Sequence, residues 1–228
     1  MAEQGLRVLV IDDEPQIRKL LRVSLSAYGY VLDEAGTGEE AINRTAIFKP
    51  DIVIIDLGLP DMDGKDAIKA IRDWSRVPII ILSARDQEQE KIAALDAGAD
   101  DYVSKPFGVG ELMARMRVSL RRSAASDDAA IITCGGLTID LTLRRVAVDE
   151  REVKLTPTEY EILKVLAQNA GRVLTHKQLL KAVWGHAYNE DMHYIRVYIG
   201  QLRHKIEVDS AQPRYIITES GIGYRLMG

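Results

Sequence analysis

The chain has 228 residues, 46% of them hydrophobic and 28% charged, with a formal net charge of −4; this is ordinary globular chemistry at a length that suits two domains. No apolar run approaches the roughly 18 residues a membrane span needs, the start MAEQGLRVLVIDDEP puts acids where a signal peptide needs a longer apolar core, and the one cysteine, Cys134, excludes an internal disulfide and a multi-cysteine metal site. A cytoplasmic protein is expected, and its acidity lies in the first half. Residues 1–122 carry 17 Lys and Arg against 21 Asp and Glu, while residues 123–228 carry 13 of each, so any DNA binding must come from a local patch.

In chain order the first half alternates short β-branched runs with amphipathic stretches of helix length. LRVLVI precedes PQIRKLLRVSLSAY, YVLDEA precedes GEEAINRTAIF, DIVIID precedes GKDAIKAIRDW, VPIIILS precedes EQEKIAALDAG, and DYVSK precedes GVGELMARMRVSLRRS. Five such repeats predict a doubly wound (βα)5 domain, a parallel sheet with helices on both faces. The runs VLVI, IVII and PIIIL are apolar throughout, as strands covered on both sides should be. A small polar stretch around SAASDDAA reads as a linker. The expected division is a first domain over 1–122, a linker over 123–133 and a second domain over 134–228. In the second domain LTIDLTLRRVAVDEREVKL alternates like three or four antiparallel strands, helical periods run over 156–169, 175–184 and 191–207, and YIITESGIGYRL closes as a hairpin.

Asp12 and Asp13 follow the first strand and Asp56 ends the third, so a parallel sheet brings three carboxylates to the edge where such sheets collect ligands. Like charges held this close call for a hard divalent cation, and Mg²⁺ suits a site with few carboxylates, a carbonyl and retained waters. Ser83 ends the fourth strand and Lys105 follows the fifth, adding a hydroxyl and an ammonium. A phosphoryl group there would meet fixed partners for its charge, with Asp56 as nucleophile.

The strings VLVIDDEP, DIVIIDLGLPDMDG, IIILSA and GADDYVSKPF closely resemble the receiver domains of two-component response regulators, over residues 5–122. The resemblance implies Asp13 and Asp56 as Mg²⁺ ligands, with Asp12 acting through water and the Gly58 carbonyl completing the set. It implies phosphorylation of Asp56 by a sensor histidine kinase, a Ser83 that swings toward the phosphate, a Lys105 that pairs with it before a cis bond to Pro106, and a Tyr102 that turns inward. The positions two beyond Asp56 and Ser83, associated in the family with placing the hydrolytic water, are Gly58 and Arg85. Glycine orients no water, so slow self-dephosphorylation is expected. Beyond these self-reactions no enzymatic turnover is expected, and an Asp-nucleophile phosphatase would want an acid where Gly58 stands. The rival of a nucleotide- or flavin-binding α/β domain lacks its Gly-rich phosphate loop.

LTPTEYEILKVLAQNAGRVLTHKQLLKAVWG, the helix after it and YIITESGIGYRL are similar to the winged helix-turn-helix effectors of the OmpR/PhoB family, here with a platform of antiparallel strands before the helices. At 100° per residue, Ile195, Ile199, Leu202 and Ile206 share one side of that helix. His193, Val197, Gly200, Gln201 and His204 lie opposite, flanked by Arg196 and Arg203, a set suited to the major groove of promoter DNA. Thr156, Trp184 and Thr218 are candidate phosphate contacts, and Trp184 is equally a core candidate. Many members carry a basic residue near the wing tip where this sequence reads Glu219-Ser220-Gly221, which puts a minor-groove arginine in doubt.

Lys91, Asp96, Asp100, Asp101, Glu111, Arg115 and Arg122 mark a face that in the family forms a symmetric dimer after phosphorylation. RNA polymerase is the further partner the resemblance implies. Within the family, LGLPDMDG, IRDWSRVPIIILSAR, KPFGVGELMAR and ESGIGYR most resemble the regulators of potassium-uptake operons.

Overall fold

The computed structural model describes residues 5–84, 88–124, 130–185 and 192–227, the side chains of 122–124 and 192 excepted. The chain divides into two compact units, Met1–Ser123 and Ala124–Gly228, and each is described by itself.

The first unit runs β1 (Arg7–Ile11), α1 (Pro15–Ser26), β2 (Val31–Ala35), α2 (Gly38–Phe48), β3 (Ile52–Ile55), α3 (Gly64–Arg72), β4 (Ile79–Ser83), α4 (Glu88–Asp96), β5 (Asp101–Ser104) and α5 (Val109–Ala124). The strands form one sheet in the order β2-β1-β3-β4-β5, all parallel. Chain order reverses between β1 and β3, which opens a crevice at their carboxyl ends. Every residue of β3 and β4 is buried, and truncating one such isoleucine to alanine costs about 2–5 kcal/mol. Helices α2 and α3 start where side chains take their free amides. Thr37 accepts from Glu40 N ahead of α2, and Asp63 accepts from Lys65 N ahead of α3.

The second unit opens with a four-stranded antiparallel sheet, β6 (Ile131–Cys134), β7 (Leu137–Asp140), β8 (Arg145–Val148) and β9 (Arg151–Glu152). There follow α6 (Pro157–Gln168), β10 (Leu174–Thr175), α7 (His176–Trp184), α8 (Met192–Ile206), β11 (Ile216–Glu219) and β12 (Gly223–Leu226), the last strands forming a sheet ordered β10-β12-β11. Thr156 and Thr175 each close a capping box, with Glu159 and Gln178 returning the bond. Their apolar faces meet Ile195, Ile199, Leu202 and Ile206 in one core.

One sequence expectation changes. The stretch 123–133 is regular at both ends, because α5 continues to Ala124 and the β-branched pair Ile131-Ile132 joins β6, paired with Asp140 and Ile139. Cys134 is a buried residue of that strand. The two-residue β10 is too short for any alternation to show in the sequence. Among the described residues no helix is long and apolar enough to cross a membrane.

Candidate functional site

Parallel pairing of Ile11 with Ile55 sets the loops after β1 and β3 side by side. Asp12, 1% exposed, and Asp56, also buried, therefore face each other. With exposed Asp13 they form a group whose carboxylate oxygens lie within 4.8 Å of one another. Lys105, just past β5, crosses the sheet edge and donates from Nζ to Asp12 Oδ2 at 2.8 Å, Asp56 Oδ2 at 2.7 Å and Glu14 Oε1 at 3.3 Å. Its bond to Pro106 is cis. Ser83 ends β4 on the same rim and is buried.

The electrostatics follow from this crowding. Burial pulls the Lys105 ammonium down, but its bonds to Asp12 and Asp56 and their charges outweigh burial and hold it well above the usual lysine range. Burial also pushes the Asp12 carboxyl up, more than Lys105 and the Glu14 amide pull it down. A three-carboxylate cluster of this kind can hold a metal ion.

Backbone geometry sustains the cluster. A Cβ at Gly64 would stand 2.5 Å from Asp56 O and 2.7 Å from Leu57 Cα, so glycine alone lets α3 start this close to the Asp56 main chain. Gly58 donates its amide to Asp56 Oδ1 at 3.2 Å, and a Cβ there would meet nothing within 4 Å. Two contributors escaped the sequence reading. Glu14 gives its amide to Asp12 Oδ1 at 2.9 Å, and Arg18 donates from Nη1 to the carbonyls of Asp12 at 2.6 Å and Asp13 at 3.1 Å. Hydrophobic periodicity marks neither, since both are polar residues of a helix start.

Tyr102 is half-buried on β5, with Lys91 Nζ 5.0 Å and Arg115 Cζ 5.9 Å from its ring centre. A small cavity bounded by Leu57, Ile81, Ser83, Lys91, Tyr102 and Val103 lies beside it. Asp96 and Glu111 are exposed, and Glu111 accepts from Arg115. Two of the expected interface acids are buried and bound within the chain. Asp101 is buried and accepts from Arg115 Nη1 at 3.0 and 3.1 Å and from the Tyr102 amide at 2.8 Å. Asp100 is buried, accepting from Arg72 Nη2 at 2.7 Å and the Ile79 amide at 2.8 Å. It stands where β5 begins, with its carboxylate engaged within the first unit. The side chain of Arg122, and Arg85 entirely, lie outside the described residues.

On α8, Ile195, Ile199, Leu202 and Ile206 are buried, while His193, Arg196, Val197, Gln201 and His204 are exposed and Gly200 is half-buried. Arg203 departs from the expected reading face. Its guanidinium is bound to β11, donating Nε and Nη2 to Ile216 O at 3.0 and 2.6 Å and Nη2 to Thr218 Oγ1 at 2.7 Å. Trp184 packs on Tyr198, ring centres 5.9 Å apart, as part of the core periphery. Thr156 is bound within its own capping box. Glu219 at the wing tip is paired with Arg225 Nη2 at 2.7 Å, so the acid near the tip is neutralised from within the hairpin.

Family models agree with both halves. Residues 8–117 match the response regulator receiver domain, and residues 150–226 match the C-terminal domain of transcriptional regulatory proteins. The KDP operon transcriptional regulatory protein KdpE of Escherichia coli K12 is 52% identical over 221 residues, 96% of this chain and 98% of that protein. KdpE of Mycobacterium tuberculosis CDC 1551 is 50% identical over 220 residues, 96% and 97% of the two chains. Among solved structures, response regulator DrrB, an OmpR/PhoB homologue of Thermotoga maritima, aligns with a TM-score of 0.51 at 31% identity over 98% of this chain and 100% of that one. A receiver joined to a DNA-binding C-terminal domain makes a phosphorylation-dependent transcriptional regulator addressed by a sensor kinase, not a metabolic enzyme. With nearly full-length identity at this level, the chain belongs to the OmpR/PhoB family of two-component response regulators.

Proposed function

We propose that Asp56 takes a phosphoryl group from a sensor histidine kinase and that the phosphorylated chain binds and activates the promoter of a potassium-uptake operon. The observation that carries the first half is the meeting of Lys105 with both Asp12 and Asp56, while an oxygen of Asp13 stays within 4.8 Å of theirs. Asp56 forms the new P–O bond as the P–N bond of the phosphohistidine breaks, and the departing imidazole nitrogen keeps the electron pair and takes up a proton. Lys105 then balances charge on a phosphate oxygen, and Ser83 and Tyr102 report the event through the β4 and β5 ends. Asp12, Asp13, Asp56 and the Gly58 carbonyl are the residues that would hold Mg²⁺, which neutralises the developing charge when bound.

The second half rests on the two KdpE relatives, the Escherichia coli one being a regulator of the KDP operon. His193, Arg196, Val197, Gly200, Gln201 and His204 would face base edges and Thr218 a phosphate. The receiver would dimerise through Lys91, Asp96, Glu111 and Arg115, and the bound dimer would engage RNA polymerase. Its target being chromosomal DNA, the protein would work in the cytoplasm, with its division of labour falling near residues 1–122 and 134–228. Footprinting the full chain on its own genome's potassium-uptake promoter, with and without acetyl phosphate, tests this: protection strengthened by acetyl phosphate is expected, and protection only at unrelated promoters contradicts the operon. Sedimentation of the phosphorylated chain should show a dimer, and a persistent monomer removes that step.

A further inference from the structure

β11 is an edge strand, so the outward N–H and C=O groups along it need partners from elsewhere. The ladder toward β12 uses the Tyr215 carbonyl, which accepts the Met227 amide at 2.8 Å. Ile216 directs both of its polar groups the other way, and the end of α8 takes both. Glu207, one residue past the helix, accepts the amides of Tyr215 and Ile216 on Oε1 at 2.9 Å each and that of Arg214 on Oε2 at 2.7 Å. Arg203, four residues earlier and so on the same flank, grips the Ile216 carbonyl with two donors and the Thr218 hydroxyl with one. Six hydrogen bonds, each with a charged partner, thus tie β11 and the two residues before it to one helix end, and bonds of this type are about twice as strong as neutral ones.

We propose that Arg203 and Glu207 are positioning residues for DNA binding: a two-residue clamp that sets the β11–β12 hairpin at a fixed place relative to the exposed face of α8 and itself reads no base. The inference rests on the reading of α8 as the recognition helix. A threonine hydroxyl has one proton and two lone pairs. Accepting from Arg203 occupies a lone pair of Thr218 and leaves the proton of that exposed side chain to give to a DNA phosphate. The clamp makes the base contacts of α8 and the backbone contact of Thr218 parts of one rigid surface, and a binding constellation functions only when its members are held to within fractions of an ångström.

The test uses the full chain, treated with acetyl phosphate and Mg²⁺, on a duplex that the wild type selects from a random-sequence library. Hydroxyl-radical cleavage reports contacts to the sugar–phosphate backbone, and dimethyl sulfate reports guanine N7 in the major groove. Glu207→Ala should weaken binding roughly tenfold and, at saturating protein, lose backbone protection beside the site while guanine protection persists. Arg203→Ala should do the same, and Arg203→Lys, which keeps the charge and a donor, should restore part of the backbone protection. Unchanged backbone protection, or loss of both protections in parallel, overturns the clamp. Should Glu207→Ala melt below the assay temperature, the Arg203→Ala and Arg203→Lys pair decides by the same criterion. A wild type that selects no duplex overturns the recognition-helix reading itself, and the clamp with it.

Discussion

At the carboxyl edge of the first sheet, Asp12, Asp56 and Lys105 are packed into contact and largely withdrawn from water; on α8, His193, Arg196, Val197, Gln201 and His204 stand in solvent over a buried apolar stripe. The first arrangement stores opposed charges where the local dielectric is low, so each member is set by the others and removal of one is felt by all. The second has independent side chains whose contributions come from the partner and add when well separated. Buried chemistry should therefore fail in large steps and exposed recognition in small ones.

The largest step is expected at Lys105. Lys105→Met keeps the reach and removes the charge that joins Asp12 to Asp56, and phosphorylation from acetyl phosphate should slow on the order of a hundredfold. An undiminished rate, followed by intact-mass measurements, would break the comparison at its strong end.

Glu159 sharpens it, because it is a buried charge in the second unit. It is 2% exposed and takes Lys205 Nζ at 2.6 Å and the Thr156 amide at 2.7 Å. Burial pushes its carboxyl up, but Lys205 and Thr156 outweigh that and hold it below the usual glutamate range. A depressed carboxylate contributes stability above its unfolded pKa and loses it as pH falls through the folded value. Lys205→Met should thus cost about 2 kcal/mol in urea denaturation at neutral pH, with the difference from wild type shrinking in acid. A difference that stays constant down to full protonation would show that Lys205 acts by packing alone.

On the exposed side, Gln201→Ala should weaken DNA binding about tenfold if it reads an adenine, measured by titration on the selected duplex against the same duplex altered at one base pair. Equal loss on both duplexes would make Gln201 a general contact. The smallest effect belongs to Gly58, on the rim of the acidic pocket with open space at its Cβ. Gly58→Asn should fold normally and shorten the life of the phosphorylated form severalfold by offering an amide to the hydrolytic water. An unchanged decay would mean that this position does not govern water there.

The same contrast explains what the sequence disclosed. Runs such as IVII and PIIIL declare strands buried on both faces, and an acid or lysine at each strand end then has its place fixed by the topology, so Asp12, Asp56, Ser83 and Lys105 were legible together. The apolar stripe of α8 was legible for the same reason, as periodicity alone assigns Ile195, Ile199, Leu202 and Ile206 to the core. What periodicity does not carry is the polar partner of a polar group. Arg18 under the Asp12 carbonyl, Glu207 on three successive amides, and Arg72 on Asp100 depend on distances across the fold. The family resemblance marked Asp100 for a dimer face and the helical wheel put Arg203 on the flank of the reading face, and neither signal carries the bonds that Arg72 gives to Asp100 or that Arg203 gives to Ile216 and Thr218.

The central claim is tested most directly by incubating the full chain with acetyl phosphate and Mg²⁺ and locating any acid-labile phosphoryl adduct by mass spectrometry. The account predicts one adduct, on Asp56, lost when the metal is chelated beforehand and absent from Asp56→Ala. No adduct on the wild type, or the same adduct on Asp56→Ala, would contradict it.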